Sequence, residues 1–132
     1  MGDDIRVRGR TTVEAGAGGT GRVTIKADYT FVYPLVRAAG GDEVARTIIR
    51  RVVEVDVPDP ARYQVTEGRL WLVAVDSEIG NDLCREGDGF IHPLFDSELS
   101  AARQPTGEER DPYDRSKELT GAGRECGTVT RT

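Results

Sequence analysis

The stretch RVTIKADYTFVYPL, residues 22–35, decides how this chain folds. Its apolar side chains recur at every second position, so Val23, Ile25, Ala27, Tyr29, Phe31, Tyr33 and Leu35 fall on one side. A period of two belongs to a strand, and β-branched and aromatic side chains suit a pleated surface. Upstream, IRVRGRTTVEA repeats the pattern at residues 5–15, with Ile5, Val7 and Val13 on one side and Arg6, Arg8, Arg10 and Glu14 on the other. The glycine-rich AGAGGTG between them reads as a hairpin connection, because glycine enters positive φ without steric cost. It lacks the Lys-Ser/Thr ending of a phosphate-binding loop.

Downstream, AAGGD marks a second turn, and EVARTIIRRVVEVDV (43–57) supplies a third segment that PDP stops. Val44, Ile48 and Val52 recur near helical spacing, yet the β-branched run Thr47, Ile48, Ile49, Val52 and Val53 favours a strand, with at most a short helical turn before it. RLWLVAV (69–75) supplies the fourth strand. These segments predict a mainly β fold, a four-stranded antiparallel meander over residues 1–75. Matching the apolar faces opposes Val13 to Val23 and hence Arg8 to Asp28. It also opposes Phe31 to Ile49, Ala27 to Val53 and Lys26 to Glu54. Arg51 then falls among apolar residues opposite Tyr29, which calls for a β-bulge, an edge position or a polar opening.

A sheet with one apolar face needs a cover. Residues 76–132 are expected to form an acidic, loop-rich arm that packs over that face within the same single domain, unless a partner subunit supplies the cover. Charge divides accordingly: residues 1–75 carry 11 basic against 10 acidic groups, and residues 76–132 carry 7 against 13. At 132 residues and a formal net charge of -5, the chain fits one domain and repels phosphate backbones and anionic lipid. Carboxylates also interrupt the basic positions of the outer face, so no nucleic-acid partner is expected. No window is apolar enough to span a bilayer, and MGDDIRVRGR is too polar for a signal peptide. The chain then reads as a cytosolic protein or as part of a longer one.

DSEIGNDLCREGDGFIHPLFD (76–96) holds the densest set of candidate ligands. Asp76, Glu78, Asp82, Glu86 and Asp88 are weak calcium candidates, because hard cations take carboxylate oxygens, but their spacing matches no EF-hand loop. A solvated acidic loop is the favoured reading, with no resident metal or cofactor. His92, set among Phe90, Ile91, Leu94 and Phe95, reads as a core-edge residue rather than a base. DPYDRS (111–116) reads as a turn that docks Tyr113 on the sheet. Cys84 and Cys126 match neither a CxxC redox pair nor a zinc knuckle. As a disulfide they would close a long loop and add roughly 4 kcal/mol; as two free thiols they would add none.

DYTFVYPL, RRVVEVDVPDPARY, GRLW, CREGDGFIHPLF and the ending DPYDRSKEL…CGTV resemble the C-terminal domain of uncharacterised actinobacterial, Streptomyces-type proteins that are often exported or membrane-anchored. The resemblance covers most of the chain from about Ile5 onward. It implies a bridged cysteine pair at Cys84 and Cys126 and an extracytoplasmic setting, and it implies no activity.

The functional expectation is a non-catalytic binding or structural module of the cell envelope or secreted space, monomeric or homodimeric, with a protein or envelope component as partner. Tyr29, Phe31, Tyr33 and Trp71 are the candidate binding residues, since apolar patches with polar rims favour association. The alternative is a small hydrolytic enzyme or ligand-pocket protein using carboxylates of the Asp76–Asp88 loop and His92.

Overall fold

The computed structural model describes residues 4–16, 19–38, 40–66, 68–83, 90–99 and 111–119. Four strands, β1 (Arg6–Ala15), β2 (Arg22–Val36), β3 (Val44–Pro58) and β4 (Trp71–Gly80), form one open antiparallel sheet in the order β1-β2-β3-β4. The mainly β meander is as the alternation implies. Val44 is already extended, so no helical turn precedes β3.

Register on the β2–β3 side agrees with face matching: Phe31 opposes Ile49, Ala27 opposes Val53 and Lys26 opposes Glu54. Between β1 and β2 the pairing is two residues away from the expected one, with Val13 opposite Ile25 and Arg10 opposite Asp28. A two-residue shift keeps every side chain on its face, so alternation alone does not distinguish the two pairings. The turn distinguishes them. Arg62 Nη1 donates to the Gly19 carbonyl at 2.6 Å, and the Tyr63 hydroxyl donates to the Thr20 carbonyl at 2.6 Å. These bonds hold a wider loop, in which Gly19 and Gly21 take positive φ.

Arg51 keeps its place opposite Tyr29 without a bulge, and β3 is a central strand. The irregularity lies elsewhere, between Glu54 and Val55 on the β4 side. Arg51 is tolerated on the apolar face because that face is open to solvent there.

β4 runs to Gly80, past the expected boundary at Val75, because Val75, Ser77 and Ile79 continue one face while Asp76 and Glu78 continue the other. Asn81 ends it at φ 56°, donating Nδ2 to the Arg46 carbonyl at 3.0 Å, and its own carbonyl accepts the Thr47 hydroxyl at 3.3 Å. The chain therefore turns back over the apolar face at the Thr47 end. There the short 3-10 turn Asp96–Glu98 is anchored by Arg37, which pairs with Glu43 at 3.3 Å, reaches Glu98 at 3.4 Å and stacks on Phe95 at 4.2 Å.

The rest of the described arm goes to the other face. Pro112 is fully buried, and its carbonyl accepts the Thr30 hydroxyl at 2.8 Å. Arg50 donates to the carbonyls of Asp114 and Lys117, both at 2.9 Å. Thr30 and Arg50 share the face of the sheet opposite the aromatic row, since they pair directly with each other. Among the described residues, the arm thus lies over the apolar face at one end, and its 111–119 segment lies on the opposite face. The physical reason is the buried polar group: Arg50 and Thr30 require partners, and backbone carbonyls from 111–119 supply them.

Candidate interaction surface

The two faces differ in chemistry. One carries Arg6, Arg8, Arg10, Lys26, Asp28, Arg50, Glu54, Asp56, Asp76 and Glu78. Its charges are paired across strands: Lys26 with Glu54 at 2.9 Å, Arg22 with Asp56 at 3.3 Å, and Arg50 with Asp28 at 2.9 and 3.1 Å in a two-toothed contact. Burial pushes the Asp28 carboxyl up, but the Arg50 hydrogen bonds and the nearby Arg50, Arg115 and Arg10 charges outweigh it, and the group lies below its ordinary value of 3.8. The Glu54 hydrogen bond raises the Lys26 ammonium correspondingly. This face is occupied by its own salt bridges and by 111–119, with Arg115 Nη2 reaching the Arg8 carbonyl at 2.7 Å.

The opposite face carries the aromatic row. Tyr29 and Phe31 ring centres are 6.5 Å apart, and Phe31 and Tyr33 are 6.3 Å apart and nearly parallel. The Tyr29 hydroxyl lies 3.0 Å from Thr11 Oγ1, and its ring covers Gly9, where any Cβ would collide with it. The edge strands leave this face open: Val13 and Leu72 are each 65 % exposed, Val7 is 53 % and Val75 is 50 %. Among the described strand residues Arg51 is its only charge, and Arg51 Nε donates to Ser77 Oγ at 3.2 Å.

Of the four aromatic candidates the structure brings three together. Trp71 opposes Asp56, so it stands on the charged face and at the far end, where it meets Tyr63 edge-on at 5.5 Å. The irregularity at Glu54/Val55 comes before it in the pairing and alters the simple count of alternation. Tyr63, with Arg22 stacked 5.7 Å above its ring, went unnoticed in the sequence because it lies in a turn rather than in a periodic segment. Arg115 went unnoticed for the same reason.

Asp76 and Glu78 lie on β4 opposite Val52 and Arg50, and Asp82 Oδ1 accepts the His92 backbone N–H at 2.6 Å. Glu86 and Asp88 lie outside the described residues, as do Cys84 and Cys126. Among the described residues no group of three or more His, Cys, Asp or Glu is placed to hold a metal ion. His92 is half-buried, and its carbonyl accepts the Leu83 N–H at 2.8 Å. Two hollows lie among the described residues. One, of about 460 Å³, lies beside Arg6, Arg8, Thr30 and Tyr113; the other, of about 560 Å³, lies in the β3–β4 loop beside Val57, Pro58 and Leu70. Neither is lined by a carboxylate. Among the described residues no helix is long and apolar enough to cross a membrane.

No family model, curated protein or solved structure matches the chain. The fold and surface define a class by geometry: an open β-meander with one charged, occupied face and one apolar face that the described residues leave largely uncovered.

Proposed function

We propose that this chain is a non-catalytic binding or structural module that works through the apolar face of its sheet, in the secreted or cell-envelope space. The observation that carries the reading is the exposure of the edge-strand residues Val7, Val13, Leu72 and Val75 beside a central aromatic row, while 111–119 is engaged on the opposite face. Exposed apolar residues gathered across several strands in this way mark association sites. The partner class is protein or envelope material. A bridge between Cys84 and Cys126, as the resemblance implies, would support the compartment, since disulfides persist where the poise is oxidising. The hydrolytic reading draws less support, because Asp76, Glu78 and Asp82 do not converge on either hollow and general acid–base chemistry needs groups gathered in a pocket.

The test is binding of a polarity-sensitive apolar dye to dilute protein. Leu72→Arg and Val75→Lys sit on exposed positions, so the circular dichroism is expected to stay unchanged while dye binding drops severalfold. Dye binding that ignores both substitutions removes this face as the working surface.

A further inference from the structure

The apolar face is organised in rows that cross all four strands. At the centre lies Gly9, Tyr29, Arg51, Ser77; two residue pairs to one side lies Val7, Phe31, Ile49, Ile79; four pairs to the other lies Val13, Ile25, Val55, Leu72. Tyr29 and Arg51 are the middle residues of the two fifteen-residue strands, and they face each other. Between the centre and the Val13 row lies Thr11, Ala27, Val53, Val75, so the one charge, Arg51, sits in the central row with rows of mainly apolar residues beyond it.

We propose that the occupant of this face is a second copy of the same chain, packed sheet on sheet about a twofold axis that runs parallel to the strands between β2 and β3. This proposal rests on the reading of the apolar face as the working surface and names its partner. Such an axis lays β2 over the partner's β3 and β1 over the partner's β4, each at its own level. Arg51 then sits over the aromatic ring of Tyr29 in the other copy, and the same contact repeats in reverse, as a twofold interface requires. The Tyr29 ring lies over Gly9 and Arg51 leans on Ser77, so the position where Gly9 opposes the partner's Ser77 is filled by the same ring and guanidinium. Val7 meets Ile79 and Val13 meets Leu72, so apolar rows meet apolar rows. A twofold axis across the strands would instead bring Arg51 against Arg51. The strand-parallel axis also suits aligned sandwiches, whose strand directions differ by about 30°.

Area suits a reversible contact. Strands about 4.8 Å apart and about 3.3 Å per residue over the shared stretch give a face of roughly 600 Å² in projection, hence at most about 1,200 Å² between two copies, and less once the end at Thr47 and Ile49, already buried, is set aside. The net charge of -5 does not oppose this contact directly, because the charged residues of the strands other than Arg51 lie on the opposite face.

The experiment is sedimentation equilibrium of the full chain over a wide concentration range, read beside dye binding per chain. A reversible dimer is expected, with dye binding per chain falling as concentration rises. Arg51→Ala should weaken the dimer roughly tenfold, whereas an axis that juxtaposes the two arginines predicts tighter association and overturns the arrangement. The double variant V13C/L72C, treated with a short bifunctional thiol reagent, should cross-link between copies, because facing sheets lie about 10 Å apart whereas within one chain β1 and β4 are three strand spacings, about 14 Å, apart. Wild type and either single variant supply the background from Cys84 and Cys126. A monomer at every concentration, with constant dye binding that Leu72→Arg still abolishes, overturns the second copy and leaves the working surface standing. A monomer that binds no dye even when dilute overturns both.

Discussion

Among single residues, Asp28 and Arg50 matter most for stability. Arg50 is 3 % exposed, and its guanidinium is neutralised by Asp28 and held by two carbonyls of the 111–119 segment. Removing one member of a buried pair leaves the other uncompensated, so Asp28→Asn should cost about 3–5 kcal/mol in urea unfolding. A loss under 1 kcal/mol would show that water reaches Arg50. The same pair sets the acid limit. Because the folded Asp28 carboxyl lies below its ordinary 3.8, the unfolded chain binds a proton there that the folded chain refuses. Its stabilisation is fully present above that ordinary value and is lost as pH falls through the lower, folded one. Glu43 is lowered by the Ser97 N–H first and by Arg37, and Asp114 by Ser116, so both act in the same direction. Stability should therefore stay level from neutral pH down to the ordinary carboxylate range and fall below it, and Asp28→Asn should flatten that fall. An identical acid profile in the variant would exclude Asp28 as its source.

At the scale of elements, the β1–β2 seam depends on Gly9. The Tyr29 ring covers the space where a side chain would stand, and the Tyr29 hydroxyl reaches Thr11 two pairs further along. A glycine capped by a cross-strand aromatic is a known way to restore packing at a weak strand position. Gly9→Val would displace the ring and the Asp28 backbone, so it should destabilise by about 1–3 kcal/mol although valine is the better strand former. Equal or greater stability in thermal unfolding would show that the ring swings aside freely. This seam also marks where alternation reaches its limit. Strand identity and face were legible in Val7, Val13 and Ile25, but the two-residue register was not, because loop width was settled by Arg62 and Tyr63 from beyond β3.

For the whole molecule, the path of the arm separates two kinds of cover. Residues 81–83 and 90–99 close one end of the apolar face through Asn81, Arg37 and Phe95, while 111–119 crosses the charged face. A Cys84–Cys126 bridge would join the beginning of the arm to its far end. Intact mass under denaturing, non-reducing conditions should lie about 2 Da below the reduced mass, with no alkylation before reduction. Two alkylated thiols in protein kept under oxidising conditions would rule out the bridge and remove the main support for an extracytoplasmic setting.

Alternation by itself determined the four strands, their antiparallel order and the division of side chains between faces, because period-two patterning is a local property of each strand. It also placed Tyr29, Phe31 and Tyr33 together and Arg51 among them. Only the tertiary structure decided which face the arm would occupy. Apolar content pointed to the aromatic side, but a buried guanidinium without partners costs more than an exposed valine, and 111–119 went where Arg50 and Thr30 needed carbonyls. Trp71 was displaced from the aromatic group by the pairing shift at Glu54/Val55. Such a shift depends on how two strands meet, a relation that neither strand carries in its own pattern.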